Sequence, residues 1–195
     1  MPSIDLKDQY FGCEIEMTGL TRQQAAEAVA SLFGTNAVHS RSSRTYDPWE
    51  VTDNEGKTWR FVYDSSIHGS HRTGRQQVPI GDGDYKVEMN SPKLEYSEMG
   101  KLQEVVRTLR HAGAVVNGSC GMHVHVDASK HTPQSLKNAL SIMYSKEDIL
   151  FKALKVQTSR EQEYCQKVRP IVLEKIRRMP NSTCLLYTSP SPRDM

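Results

Sequence analysis

Three short segments of the sequence place carboxylate and imidazole side chains at alternating positions. Residues 123–127 read His-Val-His-Val-Asp, and residues 14–16 read Glu-Ile-Glu. A third segment, residues 85–92, places Glu88 between two apolar residues and ends in a proline. Because successive side chains of a β-strand point to opposite faces, each segment predicts a strand with one ionisable face. Three such faces, brought together, would supply the ligands of a cation site.

The glycine-rich turn at residues 117–121 runs directly into the histidine strand. On that strand His123, His125 and Asp127 share one face, whereas Val124 and Val126 share the other, and we expect this valine face to join a hydrophobic core. A lone His-x-His pair is common in strands. The carboxylates of the other two strands make metal binding the favoured interpretation here.

The elements that must position these strands are helices with recognisable ends. Residues 21–33 predict an amphipathic helix capped by Thr21 and stopped by Gly34. A second helix is predicted over residues 98–112, and a third begins at the Thr-Pro pair 132–133 and runs to about residue 156. Strands that alternate with helices predict an α+β domain in which helices cover one face of the sheet and leave a polar functional face.

Two further segments lie between the first helix and the Glu88 strand. Residues 49–52 and 57–64 flank the turn Asp-Asn-Glu-Gly, which predicts a β-hairpin. Residues 65–83 are rich in Gly, Ser, His and Arg, and their low apolar content predicts a mobile loop.

Composition limits the function classes. The chain has 195 residues, of which 37% are hydrophobic, and a formal net charge of +2. Scattered basic residues and a small net charge give no reason to expect a nucleic-acid or membrane partner. No apolar run approaches the roughly 20 residues of a membrane-spanning helix. The four cysteines lack the spacing of a disulfide framework. We therefore expect a cytoplasmic protein of one domain.

Five motifs, in their order along the chain, resemble those of a known family. They are residues 11–16 (Phe-Gly-Cys-Glu-Ile-Glu), 64–66 (Asp-Ser-Ser), 87–92 (Val-Glu-Met-Asn-Ser-Pro), 118–127 (Gly-Ser-Cys-Gly-Met-His-Val-His-Val-Asp) and 160–165 (Arg-Glu-Gln-Glu-Tyr-Cys). The family is that of the amidoligases, carboxylate–amine ligases related to glutamine synthetase and glutamate–cysteine ligase. A single motif would be weak evidence, whereas five in the family's order are specific.

The resemblance implies a glutamine-synthetase-like fold, in which an antiparallel sheet forms a funnel and two divalent ions bridge the phosphates of ATP. Carried over position by position, it implies Glu14 and His123 as ligands of one ion. Glu16 and Glu88 would be ligands of the other, and His125 would face the ATP phosphates. Ligation that is rich in carboxylate and has a single imidazole favours Mg²⁺ or Mn²⁺ over zinc.

The implied reaction has two steps. A small-molecule or peptide carboxylate attacks the γ-phosphate of ATP to give an acyl phosphate, and an amine then displaces phosphate to leave an amide or peptide-like bond. In this scheme Asp64 would orient or deprotonate the amine. Arg160 would bind the nucleotide and add a fixed positive charge during catalysis.

The resemblance also implies a later strand of the Glu-Phe-Arg type, which supplies an arginine and a carboxylate to the site. No such segment precedes Met195. We therefore expect residues 1–179 to form an amidoligase-like catalytic domain that is incomplete at its C-terminus, with reduced or absent activity. Residues 180–195 end in a Ser-Pro run without helical or strand period, and we expect a disordered tail or a reading-frame artefact.

Two other function classes use the same residues. A metal-dependent hydrolase would employ the Glu and His side chains to activate water and would act without ATP. A catalytically inactive module would bind metal or nucleotide and do no chemistry. Activity of the ligase, by contrast, would require Mg²⁺, ATP and an amine.

Overall fold

The structure, a computed structural model, describes residues 5–156, 158–163 and 165–180. The chain divides into two compact units, Met1–Asp127 and Ala128–Met195. Among the described helices, none combines the length and the apolarity that crossing a bilayer requires.

The first unit is built on a six-stranded sheet with strand order β2-β3-β4-β7-β1-β8, in which every neighbouring pair is antiparallel. Its strands are β1 (Phe11–Met17), β2 (Ala37–His39), β3 (Trp49–Thr52), β4 (Thr58–Tyr63), β7 (Val87–Asn90) and β8 (Met122–Val126). A separate antiparallel pair consists of β5 (Ser70–Thr73) and β6 (Gln76–Pro79). The predicted α+β class with an antiparallel sheet and helices is confirmed.

Two helices of the first unit cover one face of this sheet. They are α1 (Arg22–Phe33) and α2 (Met99–Ala112). Thr21 caps α1 through a hydrogen bond from the Gln24 N–H, and Gly34 ends it in the left-handed conformation. Gly113 ends α2 in the same way, with a φ of 119°. Both helices are as predicted because their stop signals are local.

The hydrophobic core lies between the helices and the sheet. Its fully buried side chains alternate along the central strands, for example Trp59 and Phe61 on β4 and Val87 and Met89 on β7. Burial of each such side chain stabilises the fold by about 1.5–3 kcal/mol relative to exposure. Residues between them are directed to the other face of the sheet, and that face carries the polar groups.

Cross-strand register sets the polar face in rows. Directly opposed residues on neighbouring strands have side chains on the same face. One row crosses all six strands through Val38, Glu50, Arg60, Asn90, Glu14 and His123. The next row contains Val62, Glu88 and Glu16. Three strands thus contribute to one polar surface, as the alternating patterns predicted.

Two expectations are wrong. Residues 65–83 are not simply a loop, since they contain the β5–β6 hairpin, whose turn includes Gly74 with a φ of 62°. Val124 and Val126 are 55% and 54% exposed and are not in the core. They lie on β8, the edge strand, whereas the contacts of α1 are with β2, β3 and β4 at the opposite part of the sheet. Alternation fixes which side chains share a face and leaves open whether another element covers it.

The described part of the second unit, by itself, contains three helices: α3 (Pro133–Ala153), α4 (Thr158–Glu163) and α5 (Pro170–Arg178). Thr132 caps α3 by accepting a hydrogen bond from the Ser135 N–H, and Pro133 occupies the first turn, as predicted. α3 and α5 pack together, and Glu147 of α3 accepts a hydrogen bond from the Val168 N–H. The predicted tail, residues 180–195, lies outside the described residues except for Pro180.

Candidate metal site

The site begins on β1, where the core determines which side chains point away from it. Cys13 and Met17 are buried, so Glu14 and Glu16 between them project from the opposite face. Burial raises the pKa of the Cys13 thiol, which keeps this residue a neutral part of the core. Two carboxylates therefore stand two residues apart on one strand, as the sequence predicted.

Strand β7 brings a third carboxylate to the same place. Glu16 lies directly opposite Glu88 in the antiparallel register, and both are buried, with 5% and 6% exposure. Like charges in directly opposed positions destabilise a sheet, and removal from water adds to the cost. Such a pair calls for compensating positive charge.

Asp64 completes a cluster of three carboxylates with Glu16 and Glu88. One oxygen from each lies within 4.8 Å of the others. Asp64 follows the last residue of β4 and is less buried than the two glutamates. Since β4 pairs with β7 and β7 with β1, the three acidic groups come from two neighbouring strands and from the residue that directly follows a third.

Neutral hydrogen-bond donors hold each carboxylate in the cluster. The Gly121 N–H donates to Glu16 Oε2 at 2.6 Å, and Asn90 Nδ2 donates to Glu88 Oε1 at 3.0 Å. The Ser66 N–H donates to Asp64 Oδ1 at 2.7 Å. Donors of this kind stabilise negative charge and orient the remaining oxygens.

A buried pair of hydrogen bonds ties the Asp64 segment to the end of β1. Thr18 Oγ1 donates to the Ser70 carbonyl at 2.8 Å and accepts from the Ser70 N–H at 2.7 Å. The Gly19 N–H donates to the same carbonyl at 2.9 Å. The segment that follows Asp64 is thereby anchored beside the strand that carries Glu16.

The two imidazoles of β8 lie next to the β1 carboxylates. His123 Nε2 is 3.6 Å from Glu16 Oε1, and His125 Nε2 is 3.3 Å from Glu14 Oε1. The backbone register, however, pairs Glu14 with His123. Each imidazole thus approaches a carboxylate two residues further along β1 than the residue that lies directly opposite it. The predicted sharing of one ion by Glu14 and His123 stays a prediction, as does a phosphate-facing role for His125.

A cavity of about 400 Å³ adjoins Glu14 and His125. Gly12 lies directly opposite His125 on the polar face, and Asn90 and Lys93 also line the cavity. Among the residues that the structure describes, a Cβ built on Gly12 would meet only Ser91 Oγ, at 3.8 Å, so a side chain here would project into otherwise open space. The glycine therefore leaves room for a ligand beside the ionisable groups.

The donor set fits a hard divalent cation. Oxygen ligands lie about 2.0–2.6 Å from Mg²⁺ or Ca²⁺, so ligands on opposite sides of the ion are about 4–5 Å apart. The 4.8 Å envelope of the Glu16, Asp64 and Glu88 oxygens matches that span. Three carboxylates with imidazole only at the margin suit Mg²⁺ or Mn²⁺ better than zinc.

Sequence reasoning named most of these groups and missed some of their contacts. It named Asp64 for the amine and did not place it with Glu16 and Glu88. It also overlooked Asn90, although the position two residues after Glu88 on one strand is a signal for the same face. Arg160 lies on α4 in the second unit, and its predicted role remains a prediction.

Comparison with known proteins gives a family and no individual relative. A family model described as putative amidoligase enzyme matches residues 7–186, which is most of the chain. No curated protein and no solved structure matches it.

Proposed function

The chain belongs to the amidoligase family, and from this membership we propose that it is an ATP-dependent ligase that joins a carboxylate to an amine through an acyl phosphate. The observation that supports this proposal most is the cluster of Glu16, Asp64 and Glu88, in which the two glutamates are buried directly opposite each other and call for compensating positive charge. Kinship with glutamine synthetase in fold and mechanism is part of the same proposal.

Glu16 and Glu88 would hold a divalent cation, Mg²⁺ or Mn²⁺, and Glu14 with His123 would hold a second. When bound, such ions neutralise the charge that builds up on transferring phosphoryl oxygens. The residues of this chain supply the positioning. Hydrogen bonds from Gly121 and Asn90 fix the two buried glutamates before any ligand arrives.

In the first step an oxygen of the substrate carboxylate attacks the γ-phosphorus of ATP. The bond from that phosphorus to the β,γ-bridging oxygen breaks, and ADP leaves with the electron pair. In this proposal His125, beside Glu14 and the 400 Å³ cavity, donates a hydrogen bond to the phosphates. Arg160 is assigned to the same phosphates by the family's pattern.

In the second step the amine nitrogen attacks the acyl carbon, the carbon–oxygen bond to phosphate breaks, and inorganic phosphate leaves. The nitrogen must lose a proton to become a neutral amide. We assign that proton to Asp64, because it is the least buried of the three clustered carboxylates and is reached from solvent. Its contact with Ser66 keeps the carboxylate oriented.

Metal binding separates these assignments. We expect Glu16→Gln to weaken Mn²⁺ binding at least about tenfold, because a buried charged ligand is lost, and Asp64→Asn to weaken it less while abolishing amide formation. Glu104→Gln is the matched control, since Glu104 is an exposed glutamate on α2. Mn²⁺ binding is measured by electron paramagnetic resonance, and thermal unfolding checks that each variant is folded.

Activity is tested with ATP, Mg²⁺ and hydroxylamine as the amine, over a panel of carboxylic acids. The proposal predicts ADP release that depends on both the acid and hydroxylamine, with formation of a hydroxamate. Hydrolysis of esters or amides without ATP would favour the metal-dependent hydrolase instead. Mn²⁺ affinity that is equal in the wild type and in Glu16→Gln would refute the metal site itself.

A further inference from the structure

The side chain of Arg60 is a cation on the polar face of the sheet, and neither the family pattern nor the sequence motifs gave it a role. Its neighbours on β4, Trp59 and Phe61, are fully buried in the core, so alternation directs Arg60 to the side that carries the carboxylates. The side chain is 60% exposed and is accessible to a ligand.

The register places Arg60 close to the metal site. Arg60 lies directly opposite Asn90, and Asn90 lies directly opposite Glu14. Glu88 is two residues before Asn90 on β7, which makes it the diagonal neighbour of Arg60 at a backbone separation of about 7–8 Å. A short organic molecule could therefore contact both the guanidinium and the carboxylate cluster.

Glu50 orients this guanidinium. Arg60 Nε donates to Glu50 Oε1 at 3.0 Å, and the two residues are directly opposed on β4 and β3. Among the described residues, this hydrogen bond uses the Nε–H group of Arg60, so that the two terminal nitrogens of the guanidinium can bind a ligand. Terminal nitrogens in a fixed plane match the two oxygens of a carboxylate.

We propose that Arg60 binds a second carboxylate of the acid substrate, so that the enzyme selects dicarboxylates, including amino acids with a side-chain carboxylate, over simple monocarboxylates. This inference rests on the proposed function, because it takes the first carboxylate to react at the Glu16–Glu88 cluster. When one carboxylate of the substrate lies at the cluster, the other pairs with the terminal nitrogens of the Arg60 guanidinium. A monocarboxylate at the cluster leaves those nitrogens without this partner, and the guanidinium thereby sets the specificity.

The test uses glutarate and pentanoate, which have carbon chains of equal length and differ in one carboxylate. Each is titrated calorimetrically into the purified chain with Mg²⁺ and without nucleotide, so that the result does not depend on ATP chemistry. We expect glutarate to bind at least about tenfold more tightly than pentanoate, as one bidentate charged pair would give.

Arg60→Gln should lower the affinity for glutarate to about that for pentanoate, and Arg60→Lys should recover part of it, because a lysine keeps the charge and loses the planar fork. Arg107→Gln, an exposed arginine on α2, is the matched control and should bind glutarate as the wild type does. The Arg60 side chain is 60% exposed and that of Glu50 is 27% exposed, so their ion pair contributes little to stability and these variants should fold.

Two results would overturn the inference. One is glutarate affinity in Arg60→Gln within about twofold of the wild type. The other is an affinity for a non-hydrolysable ATP analogue that falls about tenfold in this variant while glutarate binding is unchanged, which would assign the guanidinium to phosphate. Mn²⁺ binding by Arg60→Gln should remain normal. Loss of metal binding in Glu16→Gln tests the proposed function separately, so failure of one idea can be told from failure of the other.

Discussion

Thr18 offers a test of how the carboxylate cluster is assembled. Its side chain is fully buried and joins the end of β1 to Ser70 through the two hydrogen bonds described above. Replacement by valine keeps the shape and removes the hydroxyl. Replacement by serine keeps the hydroxyl and removes one methyl group. The two variants therefore separate hydrogen bonding from packing at one position.

The expected changes in the free energy of unfolding follow from the hydrogen-bond partners of Thr18. In Thr18→Val the Ser70 carbonyl retains the Gly19 N–H at 2.9 Å, whereas the Ser70 N–H loses its acceptor. An unsatisfied buried donor costs about 1–3 kcal/mol, so we expect the free energy of unfolding to fall by about 2 kcal/mol. Thr18→Ser should cost about 1 kcal/mol for the lost methyl group.

Urea unfolding followed by tryptophan fluorescence measures these changes. Trp49 and Trp59 both lie in the first unit and report its unfolding. We also expect Mn²⁺ affinity to fall in Thr18→Val and to hold in Thr18→Ser, because only the former releases the segment that follows Asp64. A valine variant as stable as the wild type, or a serine variant that loses as much stability as the valine variant, would refute this reasoning.

Two further predictions concern the stability of the first unit. Gly19→Ala should unfold the chain or destabilise it by several kcal/mol, because the φ of Gly19 is 88° and an added Cβ would lie 2.6 Å from the Gly113 carbonyl oxygen. Urea unfolding of this variant at the wild-type midpoint would contradict the close contact. Burial alone would raise the pKa of Asp53, but hydrogen bonds from the Lys57 N–H, Lys101, Trp59 and the Glu55 N–H outweigh burial and hold that pKa below its ordinary value. The stabilisation by Asp53 is complete above its unfolded pKa, near 3.8, and is lost as pH falls through its lower, folded pKa. Between pH 6 and pH 3 the urea midpoint should therefore drop more for the wild type than for Asp53→Asn. Equal drops would show that Asp53 is not responsible.

Much of the local structure could be predicted because its causes are local. Helix α1 begins at the Thr21 cap and ends at Gly34, and α2 ends at Gly113. These boundaries depend on contacts within a few residues, and the structure confirms them. The β3–β4 hairpin follows from its short turn in the same way. The β5–β6 hairpin was missed because its strands carry few apolar residues and give no clear period.

The polar faces of the site could be predicted from alternation, whereas the grouping of Glu16 with Glu88 came only as an implication of the family resemblance. Alternation along β1 and β7 placed Glu14, Glu16 and Glu88 on polar faces without any knowledge of the fold. Which carboxylate meets which depends on register between strands that lie more than 70 residues apart in sequence, and this is set by the packing of the whole sheet.

By itself the sequence determined the family, the α+β class and which ionisable side chains lie on the polar strand faces, since motifs, period and caps act over a few residues. Only the tertiary structure decided that Glu16 faces Glu88, that Asp64 joins them and that β8 lies at the edge with its valines exposed. The physical reason is that strand pairing and the covering of a face are long-range events, in which hydrogen bonds and burial are satisfied by residues distant in the chain.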